Sequence, residues 1–366
     1  MSETTPIRIR RKRYRSPAHD AASPSATSSR QPAFRANIDL VDGAQLRPVR
    51  VRLLILLTFP EPIRNVYRDG IVKAFGELDV DVVDHHSKVG PYIGSADILV
   101  TFGAQMADHV LEKAANLKWI QALGTGVDGI VDSPALRDGV IVTNLRGLHG
   151  ASVSEAVLGS MLALSRNLPR AVRSQDAGRW DRFPVELVKG KTVGILGVGV
   201  IATELAPRCQ ALGMTVIGIT SGPRTVAGFD EMVARDDLLE VVGRLDHLVL
   251  LTPHSPQTHG IVGRAVLERM KRSAFLINVA RGGVVDQPAM VEALEAGGIA
   301  GAALDVFAEE PLPEGHPLWK LPNVLITPHM AGFHAGYPRE ALPVVIENIR
   351  HFLAGDVAGM TNVVRH

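Results

Sequence analysis

Short apolar runs bounded by turn residues recur along most of the chain, and between them apolar positions fall at helical spacing. "VRLLILL" (51–57), "DVDVV" (79–83), "DILVTF" (97–102), "KWIQAL" (118–123) and "VIVTN" (140–144) read as strands of a first unit, with helices over 63–75 and 105–115. "TVGILG" (192–197), "TVIGIT" (215–220), "HLVLLT" (247–252), "FLINV" (275–279), "GAALDV" (301–306) and "VLIT" (324–327) read as strands of a second. Runs this short and this continuously apolar suit strands buried on both faces, and their alternation with helices predicts an α/β protein with parallel sheets. "SVSEAVLGSMLALSRNLPRAV" (152–172) reads as one connecting helix belonging to neither sheet, with Ser152 or Ser154 as its N-cap. A last helix, "REALPVVIENIRHFLAG" (339–355), is expected to return onto the first unit. The expected architecture is two lobes with a cleft between them.

Composition narrows this little, because 366 residues can build two cores and no apolar stretch reaches membrane-spanning length. The single cysteine, Cys209, excludes an internal disulfide, suits a reducing, cytoplasmic setting and reads as a packing residue. No Cys/His cluster has metal-ligand spacing, so no metal is expected. Charge changes the picture at one end. Residues 1–36 hold eight Lys/Arg, six of them in "RIRRKRYR", against Glu3 and Asp20, so the rest carries about −5 of the net +1. Residues 1–47, rich in Ser, Pro and Ala, read as a disordered basic tail. An unstructured extension fits best; a nucleic-acid arm fits less well, and an organelle transit peptide is a third reading.

The glycine pattern gives the first chemistry. In "TVGILGVGVIATELA" a turn Gly197-Val198-Gly199-Val200-Ile201-Ala202 follows an apolar strand and opens a helix. Gly197 would allow the tight turn, Gly199 would let the backbone approach a pyrophosphate, and Ala202 would pack helix on strand. Backbone N–H groups at the helix start would face the phosphates. Pro207 interrupts that helix with no functional account. NAD sites place an acid at the end of the next strand, but this strand ends "IGITSGPR" with Thr220 there. Ser221 and Arg224 could hold a 2′-phosphate instead, which favours NADP over NAD, although Arg224 also reads as a solvated loop residue.

"FLINVARGGVVD" (275–286) brings an arginine to the end of a buried strand and then two glycines, which read as local backbone freedom. Arginine cannot lose its proton, so Arg281 is expected to meet an anion. Asp305 and His329 follow other strands of the same sheet, where open α/β sheets bind ligands. An arginine, a carboxylate and an imidazole at such ends suit a small oxyacid: the fork binds a carboxylate and polarises a carbonyl, and the imidazole moves a proton. A nearby glutamate would hold the imidazolium.

"FLINVARGGVVD", "AALDVFAEEPLP" and "NVLITPHMAG" together resemble the signature blocks of the D-isomer-specific 2-hydroxyacid dehydrogenases, glyoxylate/hydroxypyruvate reductases among them, and the resemblance spans roughly residues 50–364. It implies an NAD(P)-dependent oxidoreductase interconverting a 2-keto acid and a D-2-hydroxy acid. The implied fold is a Rossmann domain (151–332) and a flavodoxin-like substrate domain (48–150) completed by residues 333–366. By matching position, Arg281 would bind substrate, Glu310 would partner His329, and His329 would be the general acid/base. "LGTGVDGI" resembles the turn that binds the substrate carboxylate, at Thr125 and Gly126. "LTPHSPQTHGIVG" resembles the cofactor-facing loop, with Thr252 and Pro253 near the ribose. Asp305 and the Ala280 carbonyl would meet the nicotinamide amide, and Ser154, Val200, Ile201, His329 and Gly332 would border the cofactor. The family is commonly dimeric through the region of the 152–172 helix.

Departures are as informative. Val200 lacks the polar side chain common at its position, Ala202 replaces a glycine, and no regulatory domain is expected. His85, His86, His254, His259, His316, His334 and His351 read as structural or solvated, Phe102 and Trp319 as pocket or core, and Asp286 as a helix cap. The rival readings are a nucleotide-sensing corepressor-like scaffold, a 3-phosphoglycerate-type dehydrogenase, and formate or phosphite oxidation.

Overall fold

The computed structural model describes residues 50–103, 106–222 and 224–365, so the tail at residues 1–47 lies outside the described residues. The first five strands are β1 (Arg52–Leu56), β2 (Asp79–Val83), β3 (Ile98–Thr101), β4 (Trp119–Ala122) and β5 (Ile141–Thr143). All five are parallel in the order β2-β1-β3-β4-β5. Seven more follow: β6 (Thr192–Leu196), β7 (Thr215–Thr220), β8 (Glu231–Ala234), β9 (His247–Leu250), β10 (Phe275–Asn278), β11 (Gly301–Leu304) and β12 (Val324–Ile326). They form a second parallel sheet ordered β8-β7-β6-β9-β10-β11-β12. A last short strand, β13 (Val363–Arg365), runs antiparallel beside β5. The expected two-sheet α/β architecture is thus present, with β8 and the antiparallel edge β13 added.

The apolar runs are explained by burial on both faces. Along β1 and the residue after it, Leu53, Ile55 and Leu57 enter one core while Leu54 and Leu56 enter the other, as a two-residue repeat requires. The second sheet is lined the same way, with Leu248 and Leu250 on one side of β9 and Val249 on the other. Each such side chain, fully buried, stabilises the fold by about 1.5–3 kcal/mol.

Between the sheets the sequence expected one helix and the structure has two, Gly150–Ser165 and Leu168–Asp176. Asn167 adopts φ 49° and Pro169 sits at the start of the next helix, so the backbone turns where the apolar pattern alone would continue. Neither Ser152 nor Ser154 caps the first helix, because it begins earlier, at Gly150 with His149 before it. It packs on the helix Val200–Ala211 and contacts β10 and β11, so it belongs with the second sheet.

The final helix, Tyr337–Leu353, returns to the helix Glu61–Ala74, where Gly70 leaves room for Leu342: a Cβ there would stand 2.3 Å from Leu342 Cδ2. Asn348 fixes its register. Its Nδ2 donates to Gln121 Oε1 on β4 (2.8 Å) and its Oδ1 accepts from the Thr361 N–H (2.7 Å). No described helix is long and apolar enough to cross a membrane.

Candidate active site

Strand order reverses at β1/β3 in the first sheet and at β6/β9 in the second, which makes the carboxyl ends of these strands the places where a crevice opens. After β6, Gly197 has φ 100°, and a Cβ on it would fall 2.5 Å from the Thr252 nitrogen. Only glycine fits there. Gly199 precedes the helix Val200–Ala211 with nothing within 4 Å of a Cβ built on it, so the helix N-terminus faces open space. Orphan N–H groups, a positive helix end and room in front suit a dinucleotide pyrophosphate. Ala202 is buried and Val200 exposed. Thr220 ends β7 without a carboxylate, and the Arg224 Nη2 donates to the Val198 carbonyl at 2.5 Å, which folds this cation onto the glycine turn. Thr252 is buried, and the Pro253 carbonyl accepts from Thr258 Oγ1 (2.7 Å). Ser154 is fully buried with its hydroxyl 3.5 Å from the Ile201 carbonyl, so it joins two helices and does not line the open turn.

Arg281 caps a short 3-10 turn after β10. Its Nη1 donates to the Ala280 carbonyl (2.6 Å), and its Nε donates to Asp128 Oδ2 (2.8 Å), a residue following β4. Its Nη2 lies over Gly126, where a Cβ would be only 1.5 Å away. The guanidinium and the Thr125-Gly126 turn therefore meet across the two sheets. The two glycines after Arg281 serve close approach and not mobility: a Cβ on Gly282 would stand 1.9 Å from the Phe307 carbonyl, and one on Gly283 would meet the His254 ring at 2.7 Å.

Asp305, directly after β11, is buried and holds the loop beyond β12. Its Oδ1 accepts from Thr327 Oγ1 (2.5 Å) and the Met330 N–H (2.9 Å), and its Oδ2 accepts from the Ala331 N–H (2.9 Å). The loop so fixed carries His329 at φ 50°, an uncommon conformation for a residue other than glycine, with its N–H donating to the Asp305 carbonyl (2.8 Å). His329 Nδ1 pairs with Glu310 Oε2 at 2.6 Å, and Glu310 Oε1 accepts from the Phe307 N–H (2.9 Å). Burial alone would raise the Glu310 carboxyl. The bond and charge of His329, the Phe307 N–H and the Arg281 charge outweigh it and hold the group below its usual value. Glu310 stays ionised, and His329 Nε2 has no protein partner among the described residues.

The sequence reading missed three contributors, Asp128, Asn144 and His149. Asp128 lies inside the quoted "LGTGVDGI", where it reads as a turn residue, and His149 directly precedes the interlobe helix. The Thr125 hydroxyl lies 2.9 Å from His149 Nδ1, and the Thr125 carbonyl accepts from Asn144 Nδ2 (2.7 Å). Gly332 closes the group, its carbonyl accepting from Ser152 Oγ (3.2 Å).

Comparison with known proteins agrees with this geometry. Residues 158–331 match the family described as D-isomer specific 2-hydroxyacid dehydrogenase, NAD binding domain. A glycerate dehydrogenase from Methylorubrum extorquens is 34% identical over 270 residues, covering 71% of this chain and 83% of that one. The chain belongs to the D-isomer specific 2-hydroxyacid dehydrogenase family. A D-3-phosphoglycerate dehydrogenase from Methanocaldococcus jannaschii is 38% identical over 292 residues, covering 79% of this chain but only 56% of its own length. The chain spans about half the length of the phosphoglycerate dehydrogenases of the family that it matches. Among solved structures, an NADPH-dependent glyoxylate/hydroxypyruvate reductase from Sinorhizobium meliloti, in complex with NADP and sulfate, superimposes with a TM-score of 0.72 at 27% identity. That match covers 86% of this chain and 98% of the reductase. Within the family's NAD-binding segment fall the glycine turn, Arg281, Glu310 and His329, whereas Thr125, Gly126 and Asp128 precede it.

Proposed function

We propose that the chain reduces a small 2-keto acid to a D-2-hydroxy acid, and reverses that reaction, with glyoxylate and hydroxypyruvate as the substrate type and NADPH preferred to NADH. The 2.6 Å pair between His329 and ionised Glu310, on the sheet edge that also carries Arg281, is the observation that carries this reading. Residues 48–150 with 333–366 form the substrate-holding domain and residues 151–332 the dinucleotide-holding one. Arg281 Nη groups and the Thr125-Gly126 turn hold the substrate carboxylate, and the guanidinium polarises the keto oxygen. A bound reduced nicotinamide would supply hydride to the keto carbon. His329 Nε2 delivers the proton to the resulting alkoxide while Glu310 holds the imidazolium through Nδ1. The hydroxyl of Ser221 and the cation of Arg224, with no acid at Thr220, support the NADPH preference.

A homodimer is part of this proposal. Leu168 and Val172 on the second interlobe helix are about half exposed, and Trp180 and Leu187 after it are 90% and 62% exposed, and exposed apolar side chains of this kind mark protein contact. Light scattering on the purified chain tests it.

The function is tested by kcat/KM for glyoxylate, hydroxypyruvate, pyruvate and 3-phosphohydroxypyruvate, each with NADH and with NADPH. Turnover of the unphosphorylated acids with NADPH is expected. NADPH binding without any turnover would favour the scaffold reading instead.

A further inference from the structure

His149 has no role in the chemistry above, yet it is the polar side chain at which the cleft and both interlobe connections meet. It is 8% exposed. Its ring lies 4.9 Å from the Tyr337 ring, and a Cβ on Gly332 would stand 2.8 Å from its Cδ2, so one face and one edge are in contact. Tyr337 is itself tied, its hydroxyl donating to the Leu123 carbonyl beside the Thr125 turn. One connection between the sheets, residues 144–149, thus grips Thr125 twice: Asn144 takes its carbonyl and His149 its hydroxyl. The other connection, from His329 to Tyr337, packs against the same imidazole.

Burial, eased by the Leu145 carbonyl and reinforced by His334, pushes this imidazole down to about 4. It is therefore neutral near pH 7 and adds no charge to the anion site. A neutral ring serves the Thr125 hydroxyl in either tautomer, donating to it or accepting from it, and in both cases fixes the oxygen and its rotamer.

We propose that His149 is a positioning residue for the substrate carboxylate: it holds Thr125 Oγ1 at the cleft and links that hold to the two connections between the lobes. This rests on the reading of Thr125 as a carboxylate anchor. Preorganised polar groups bind best when a second layer locks them, and loss of one such hydrogen bond is worth roughly tenfold in affinity.

The test uses the full chain with NADPH and glyoxylate. His149→Phe should raise KM for glyoxylate roughly tenfold while kcat and the NADPH dissociation constant stay within about twofold. His149→Asn, whose amide can bond Oγ1 from near the Nδ1 position, should recover most of the loss. Thr125→Val should raise KM similarly, and the double variant should be no worse than the worse single one. A general loss of structure would lower kcat, cofactor affinity and melting temperature together. If the Phe variant fails to fold, His149→Gln, with its amide moved away from Oγ1, should show the same KM loss. An unchanged KM in both replacements, or additive effects in the double variant, overturns the proposal while leaving the anchor reading intact. A silent Thr125→Val overturns the anchor reading and the proposal with it.

Discussion

The two edges of the seven-stranded sheet carry the same residue types and treat them in opposite ways. At the amino edge, Asp246 accepts from the Thr192 N–H (2.8 Å) and from Lys271 Nζ (2.9 Å), and His247 beside it is 1% exposed and 5.5 Å from the Phe275 ring. Burial pushes His247 down to about 4, and its Nδ1 has no partner among the described residues. At the carboxyl edge, Asp305 holds a loop that lifts His329 into left-handed backbone, and the imidazole is 36% exposed against an ionised glutamate. One histidine is sealed as a neutral packing group, and the other is presented with one nitrogen paired and one facing out. Residue type does not make a site; exposure, a charged partner and a constrained backbone do.

The sharpest way to break this contrast is to exchange the roles by mutation. On the proposed mechanism His329→Gln should lower kcat roughly a thousandfold with NADPH binding retained, because proton delivery in the transition state would be lost. His247→Phe, matched to its aromatic surroundings, should leave kcat within about twofold. Comparable activity in the two variants would mean that the edges do not differ as described. Glu310→Gln keeps a hydrogen-bonding atom near His329 but removes the charge, and a charged hydrogen bond is worth about 2 kcal/mol, or roughly thirtyfold in kcat/KM. Retention of full kcat/KM would leave Glu310 only a loop-forming role.

The amino edge should announce itself in stability instead. Well above pH 6.5 His247 is neutral in folded and unfolded chain alike, so it makes no pH dependence there. Between 6.5 and about 4 the unfolded chain takes up a proton that the folded chain refuses, and stability falls as pH falls. By pH 5 this costs about 2 kcal/mol for His247. Urea unfolding at pH 7 and pH 5 should therefore show a smaller acid loss in His247→Phe than in the parent. His149, held near the same value, should contribute a similar share that the substitution leaves in place.

The carboxyl edge was the more legible of the two. The strands declared themselves because each is buried on both faces, and Arg281, Glu310 and His329 sit in blocks whose order along the chain matches their order in space. Where burial is incomplete the pattern fails: all four residues of β8 are partly exposed, and β13 is a three-residue edge. The helix break at Asn167 depends on one backbone angle that hydrophobic periodicity does not report. Asp128, Asn144 and His149 were illegible for another reason. Their partners lie 153, 19 and 24 residues away, and only the folded chain brings them together. Likewise "RGG" reads as flexibility until the Phe307 backbone is seen lying against Gly282.

Asp128 offers the smallest and finest test. It belongs to the first sheet's side of the cleft, yet its carboxylate is the protein's own anion on Arg281, taking Nε and leaving Nη2 over Gly126. The pair is partly exposed, 29% for Arg281 and 40% for Asp128, so solvent screens it and its contribution is under about 1 kcal/mol. Asp128→Asn keeps an acceptor for Nε and should raise KM for the keto acid by no more than roughly fivefold at unchanged kcat. Asp128→Ala, which removes the acceptor, should do more by letting the guanidinium leave Gly126. If the Asn variant instead binds the keto acid more tightly, Asp128 competes with the substrate for Arg281 and does not aim it. In that case the crossing between the two sheets at this edge is a contact that substrate must displace.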